Sequence, residues 1–156
     1  MNAEDFLARG IDKAIWGAYG GAIQDFTRAI WLDPFYVNAY YNRGLIYLLI
    51  GKNQAALEDF DEVLRMNPLD TLACVFRGLI RRRLGDIRAA IDDCDRALQI
   101  EPNLPEAYYN RGLICLEVGD KRGVKKDLQK AAELFIERGN TAVFQDIQMI
   151  LTKLDF

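Results

Sequence analysis

Cys74, Cys94 and Cys115 are the only thiols in a chain that contains no histidine and no serine. That composition removes the commonest general base, the commonest metal ligand and the usual hydroxyl nucleophile together, and a cysteine without a histidine is a weak nucleophile. The three have no metal-ligand spacing, and an odd number does not make a disulfide framework, so buried free thiols are expected. Carboxylates are plentiful in Glu58, Asp59, Asp61 and Glu62, and again in Asp92, Asp93 and Asp95. Both runs fall on amphipathic segments whose polar side faces water, and a charge run of that kind is a solvated face. The glycines recur in regular columns and form no phosphate-binding loop. No catalytic activity, no cofactor and no metal is therefore expected.

Two columns of charge need another reading. Arg9, Arg43, Arg77 and Arg111 share one spacing, and Asp25, Asp59, Asp93 and Asp127 share the same one. Regularly spaced guanidinium groups would suit a polyanion. The helix register points elsewhere: antiparallel helices pair residues whose numbers add to a nearly constant total, which sets Arg43 and Asp59 beside the contact of Gly44 with Ala56. Each arginine is then expected to hold an aspartate in a two-pronged ion pair, within its own helix pair or to the neighbouring one. Arg81-Arg82-Arg83, with Arg77 and Arg88 near it, reads as the one basic cluster and is small. With a formal charge of −3, no nucleic-acid partner is expected. Arg82 and Arg83 either meet an acidic group of a mostly apolar ligand or pair with acids of a neighbouring repeat.

The scaffold that carries these columns must itself repeat. Gly10, Gly44, Gly78 and Gly112 are spaced by 34 residues, as are Gly17, Gly51, Gly85 and Gly119, and Pro34, Pro68 and Pro102. Within Val37 to Asp70, Tyr40, Gly44 and Tyr47 recur at helical spacing and Gly51 ends the segment. Ala56, Phe60 and Val63 then form a second stripe, closed by Pro68. Such a period signals a helical array. The spacing predicts four helix pairs over 3–36, 37–70, 71–104 and 105–138, the first with helices near 3–16 and 20–33. In these pairs Gly44 should meet Ala56, Gly78 should meet Ala90, Tyr40 should lie on Phe60, and Cys74 should lie opposite Cys94. Ile136 stands where a proline is expected, so the fourth pair's second helix should run on to Gly139-Asn140, with Thr141 as the next N-cap. Val143, Phe144, Ile147, Ile150, Leu151 and Leu154 then form one stripe on a helix over about 141–154, a cap for the open end. Residues 1–156 thus read as a single all-α domain. The acidic start MNAEDFLARG does not resemble a signal peptide, and the uncharged run Gly44 to Gly51 is too short to cross a bilayer. A soluble, cytoplasmic chain without direct membrane insertion is the expectation.

With three columns in one register, residues 3 to 138 resemble the tetratricopeptide repeat (TPR) family. The resemblance implies a right-handed superhelix, an α-solenoid of antiparallel helix pairs, that serves as a protein-binding scaffold. It also implies that the first helices line a concave wall where peptides or helices lie. The matching columns are Leu7, Tyr41, Val75 and Tyr109; Ile11, Leu45, Leu79 and Leu113; and Ala14, Leu48, Arg82 and Leu116. Asn42 and Asn110 add amides suited to a peptide backbone, while Ala8 and Phe76 interrupt their column. The partner-binding set is then Leu7, Ile11, Tyr41, Asn42, Leu45, Phe76, Leu79, Arg82, Arg83, Tyr109, Asn110 and Leu113, facing a protein or peptide ligand. Some members of the family grip a chaperone's C-terminal carboxylate with lysine, asparagine and arginine on three first helices. The matching places here are Leu7, Ile11, Asn42, Leu72 and Phe76, or one repeat later Tyr41, Leu45, Phe76, Glu106 and Asn110, and neither set supplies a cation. Trp31, Phe35 and Tyr36 cluster at one end, where either Phe35 and Tyr36 pack between the first two repeats or the cluster forms a partner or self-association patch, so a homo-oligomer is the alternative. The recurring Asn-Arg-Gly and the Gly-Asp-Lys turn also resemble TPR proteins of photosynthetic bacteria, some of which assist assembly of membrane complexes.

Overall fold

The computed structural model describes residues 1–154, and the last two residues of the predicted 1–156 unit lie outside the described residues. The described residues form nine helices and no strand: α1 (Ala3–Ile15), α2 (Tyr19–Leu32), α3 (Val37–Leu49), α4 (Asn53–Met66), α5 (Thr71–Arg83), α6 (Ile87–Ile100), α7 (Pro105–Val118), α8 (Lys121–Glu137) and α9 (Thr141–Lys153). The first eight pair consecutively as helix hairpins, each hairpin packs on the next, and α9 lies against α8.

Local sequence sets the ends of the helices. Gly17, Gly51, Gly85 and Gly119 have φ between 76° and 85°, a left-handed conformation that only glycine adopts without strain, and this reverses the chain onto its own first helix. Asp70, Asp86 and Asp120 cap α5, α6 and α8 by accepting the amides of Ala73, Ala89 and Gly123. With no proline to stop it, α8 has 17 residues against 14 in α4 and α6. The N-cap of α9 is Asn140, not Thr141: the Asn140 side chain accepts the Val143 amide at 3.2 Å, and Thr141 is already helical. Asparagine is one of the best capping residues, so the helix starts one position earlier than the threonine suggests.

Small residues let the helices close. A Cβ placed on Gly44 would lie 3.0 Å from the Phe60 ring. Phe60 is fully buried, edge-on to Tyr41 and stacked on Phe76, each with ring centroids 5.5 Å apart. Tyr41 supplies the edge-on ring contact with Phe60, and Tyr40 packs against the same core cluster. The Tyr40 hydroxyl needs a polar partner and donates to the Pro34 carbonyl at 3.1 Å, with the Arg43 guanidinium 5.8 Å from its ring. Cys74 and Cys94 are buried free thiols.

The arginine–aspartate columns form a ladder through the stack. Arg43 donates from Nε and Nη2 to the two carboxylate oxygens of Asp59 at 2.9 and 2.7 Å. Arg9 holds Asp25 and Arg111 holds Asp127 in the same fork, and Arg77 donates to Asp93 at 2.7 Å. The remaining Nη1 group reaches back to the preceding repeat: Arg43 to Thr27, Arg77 to Asp61 and Arg111 to Asp95, at 3.0, 3.0 and 2.8 Å. Each of these three arginines therefore ties its own hairpin and the one before it. The five donors of a guanidinium allow this where a lysine would not. At the far end, Ile147 of α9 is fully buried against Val124, Leu128, Ala131 and Phe135.

Candidate functional site

Helix spacing defines an inner wall. Helix α1 touches α3 and α5 touches α7, whereas second helices make no comparable contact with one another. Elements that approach closely on one side and splay on the other bend a stack toward the close side, so the first helices line the inside of the curve.

The structure sorts the predicted groove residues. Ile11, Tyr41, Asn42, Leu45, Phe76, Leu79, Tyr109 and Leu113 are half-buried. Leu7 is 8% exposed and joins the core around Ala22 and Phe26. Asn110 is 4% exposed; its Nδ2 donates to the Val75 carbonyl at 3.3 Å and reaches Cys94 Sγ at 3.5 Å, while its Oδ1 is buried without a hydrogen bond. It ties α7 to α5 and α6. Asn42, in the same column, donates to the Asn38 carbonyl of its own helix. Of the two readings of the arginine cluster, the structure contains pairing inside the array. Arg82 Nε lies 3.6 Å from Glu117, and Arg83 donates to the Leu48 carbonyl at 3.2 Å.

Between α5 and α7 the wall opens into a slot of about 210 Å³ lined by Val75, Phe76, Leu79, Glu106, Tyr109, Asn110 and Leu113. Sequence spacing does not single out Glu106 or Val75 as groove residues, although Val75 lies in the column of Tyr41 and Tyr109. The Glu106 carboxylate faces Arg138 at 3.6 Å. The slot can take an apolar side chain, and it contains no pair of groups suited to acid–base chemistry. Burial pushes the Tyr41 phenol up to about 12, so it stays neutral. Burial likewise pushes the Cys94 thiol up to about 12 and raises Cys74 and Cys115, which leaves all three poor nucleophiles near neutral pH.

Outside the groove the aromatic end divides. Tyr36 packs into the first core cluster, whereas Trp31 and Phe35 are 81% and 73% exposed. Arg81-Arg82-Arg83 is not the one basic cluster: α8 carries Lys121, Arg122, Lys125, Lys126 and Lys130 on its outer side. Helical spacing breaks that set into the pairs Lys121-Arg122 and Lys125-Lys126 and a single Lys130, so it does not read as a run.

Comparison with known proteins agrees with this architecture. The tetratricopeptide repeat profile matches residues 37–69, a second profile of the same name matches 105–135, and the TPR repeat profile matches 16–51 and 78–119. These matches cover more than half of the chain, which belongs to the tetratricopeptide repeat family. Among solved structures, MamA residues 41-end from Desulfovibrio magneticus RS-1 superimposes with a TM-score of 0.80 at 24% identity, over 88% of this chain and 77% of that one. A second MamA structure gives 0.77 at 19% identity over 99% and 96%. The first TPR of Spaghetti (RPAP3), bound to the HSP90 peptide SRMEEVD, gives 0.72 at 27% identity over 76% and 94%. No curated protein matches the sequence.

Proposed function

We propose that this chain is a non-catalytic adaptor that binds an extended peptide or a helix of another protein in its apolar, aromatic groove. The observation that carries the reading is the slot between α5 and α7, walled by Val75, Leu79 and Leu113 and by the rings of Phe76 and Tyr109. Apolar surface left open in a soluble fold is a place for a partner, and aromatic residues at its centre are the usual energetic anchors. The similar RPAP3 domain holds an HSP90 peptide that ends in acidic residues. This chain has Leu7, Ile11, Asn42, Leu72 and Phe76 where a carboxylate clamp has lysine, asparagine and arginine, so none of the clamp's cations is present. Its ligand is therefore centred on apolar side chains instead of a charged tail.

Selection from a random peptide display library on the immobilised chain tests this. The expected result is an apolar-centred consensus whose binding is lost in Leu45→Glu and Leu79→Glu, with helical circular dichroism retained. If both variants unfold, these residues are core. If they fold and still bind with unchanged affinity, the site lies elsewhere, and exposed Trp31 and Phe35 are next to test.

A further inference from the structure

One edge of the array carries a surface that neither the groove nor the ion-pair ladder uses. In each repeat the residue just before the left-handed glycine of the hairpin turn is apolar: Trp16, Ile50, Leu84 and Val118. They are 87%, 40%, 44% and 56% exposed. In the first two repeats the preceding residues, Ile15 and Leu49, are apolar and exposed as well. The contacts of Arg83 with the Leu48 carbonyl and of Arg82 with Glu117 bring the turns of successive repeats side by side. The four positions thus make one edge, and at an interhelix spacing of about 8–10 Å the row is roughly 25–30 Å long.

The same edge is positive, against the preference of the helices that form it. None of α2, α4, α6 and α8 has an acidic residue in its first turn, where a carboxylate would suit the helix dipole. Exposed cations stand there instead: Lys52 at the N-cap of α4, Arg88 in α6, Lys121 and Arg122 in α8, with Arg83 at the end of α5. The acids of this edge are Asp86, Asp120 and Glu117. The first two turn onto the amides of Ala89 and Gly123, and Glu117 faces Arg82. Cations at helix N-termini oppose the dipole there, and an anionic surface outside the fold would offset that cost.

From this juxtaposition we propose that the turn edge docks onto the surface of an anionic lipid bilayer, with Trp16 at the headgroup boundary and the flanking lysines and arginines against lipid phosphates. Tryptophan favours that boundary, and a shallow apolar row with cations beside it lies on a membrane without spanning it. Among the described residues no helix is long and apolar enough to cross. A symmetric pair of copies meeting through this edge would bring Arg88, Lys121 and Arg122 against their own images, so like-charge repulsion disfavours a second copy as the occupant. The groove, on the first helices' inner wall, stays open in this orientation.

Vesicle binding by the full chain carrying Trp31→Phe decides it, because Trp16 is then the single tryptophan. With phosphatidylcholine–phosphatidylglycerol vesicles the protein should cosediment and its emission should shift to the blue, and with phosphatidylcholine alone it should do neither. Lys121→Gln and Arg122→Gln should each weaken binding about fivefold, and added salt should reverse it. In an otherwise native chain, Trp16→Ala removes a side chain that is almost wholly exposed, so it should fold normally and bind about tenfold more weakly. Leu79→Glu should leave vesicle binding unchanged, which separates this site from the groove. Absence of cosedimentation with anionic vesicles, or equal binding to the neutral ones, overturns the proposal. So does a wild-type dimer in sedimentation equilibrium that Trp16→Ala dissociates, since the edge would then belong to a second copy.

Discussion

Replacing Asp59 by alanine should destabilise the chain more than replacing Asp59 and Arg43 together. The Asp59 side chain is 4% exposed and that of Arg43 17%. Burial pushes the Asp59 carboxyl up while the hydrogen bonds from Arg43 pull it down, so the pair holds each other's charge in a poorly hydrated place. Without the aspartate, the guanidinium keeps only the Thr27 hydroxyl at 3.0 Å and the rings of Tyr40 and Tyr47 at 5.8 Å. A buried charge left in that condition costs about 3–5 kcal/mol, whereas exchanging the whole pair for apolar side chains of similar volume, with Arg43→Met and Asp59→Leu in one chain, should be about neutral. The larger figure is a big part of the ~5–15 kcal/mol that holds a domain together. Urea titration followed by far-ultraviolet circular dichroism measures both variants, with the slope compared as a check because repeat arrays can unfold in parts.

The outermost rung supplies an internal control. Asp25 pairs with Arg9 and Lys13, whose side chains are 40% and 36% exposed. Cations left behind by Asp25→Ala can relax into water, so that variant should cost less than Asp59→Ala. Two results would refute the reasoning. One is a double variant as damaged as the single one; the other is an Asp59→Ala cost no greater than that of Asp25→Ala. Either would reduce the ladder to solvated surface pairs.

Asp25 also gives a pH signature. The Arg9 hydrogen bond holds its carboxyl down at about 2, and a lowered carboxylate contributes stability that is present above its unfolded value and lost as pH falls through the folded one. The urea-midpoint difference between wild type and Asp25→Asn should therefore be steady from neutral pH down to about 5 and shrink between about 4 and 2. Two glycine substitutions should have opposite signs. Gly44→Ala puts a methyl 3.0 Å from the Phe60 ring and should destabilise, since overpacking costs about 1–3 kcal/mol against the ~1 kcal/mol that alanine gains in a helix; Gly20→Ala meets nothing within 4 Å and should be neutral or stabilising by the same melt. Ile147→Ala, at a fully buried position of α9, should lower stability by about 2–5 kcal/mol. Deleting the chain from Thr141 onward should expose the cluster around Phe135 and raise binding of an apolar dye.

Much of this architecture was legible because a 34-residue period writes the fold into columns. The glycine turns, the helix hairpins and the pairing of the arginine column with the aspartate column follow from one register. What lay between hairpins was harder to see. Asp61 and Asp95 sit in carboxylate runs and are about half exposed, at 50% and 47% for their side chains, which is what a solvated face looks like in sequence. Yet they receive the spare N–H groups of Arg77 and Arg111. The fate of Asn110 was equally hidden, because its column also holds the half-buried Asn42 and the ring of Phe76.

A single spacing accounts for these cases. Phe60 and Phe76, Cys94 and Asn110, Thr27 and Arg43, and Asp95 and Arg111 are each 16 residues apart and join a second helix to the next first helix. The Arg–Asp forks within hairpins have the same separation. Pairing by a constant sum captures only contacts inside a hairpin, whereas the seam between repeats is read by this fixed offset. At the seam, residue sizes compensate: Phe60 receives another ring, while Cys94 is small enough to admit the Asn110 amide. That exchange draws Asn110 inward at the end of the slot and leaves Phe76, Tyr109 and Leu113 to line it. The groove's chemistry at each step is therefore set by the second-helix residue behind it as much as by the first-helix residues that face the partner.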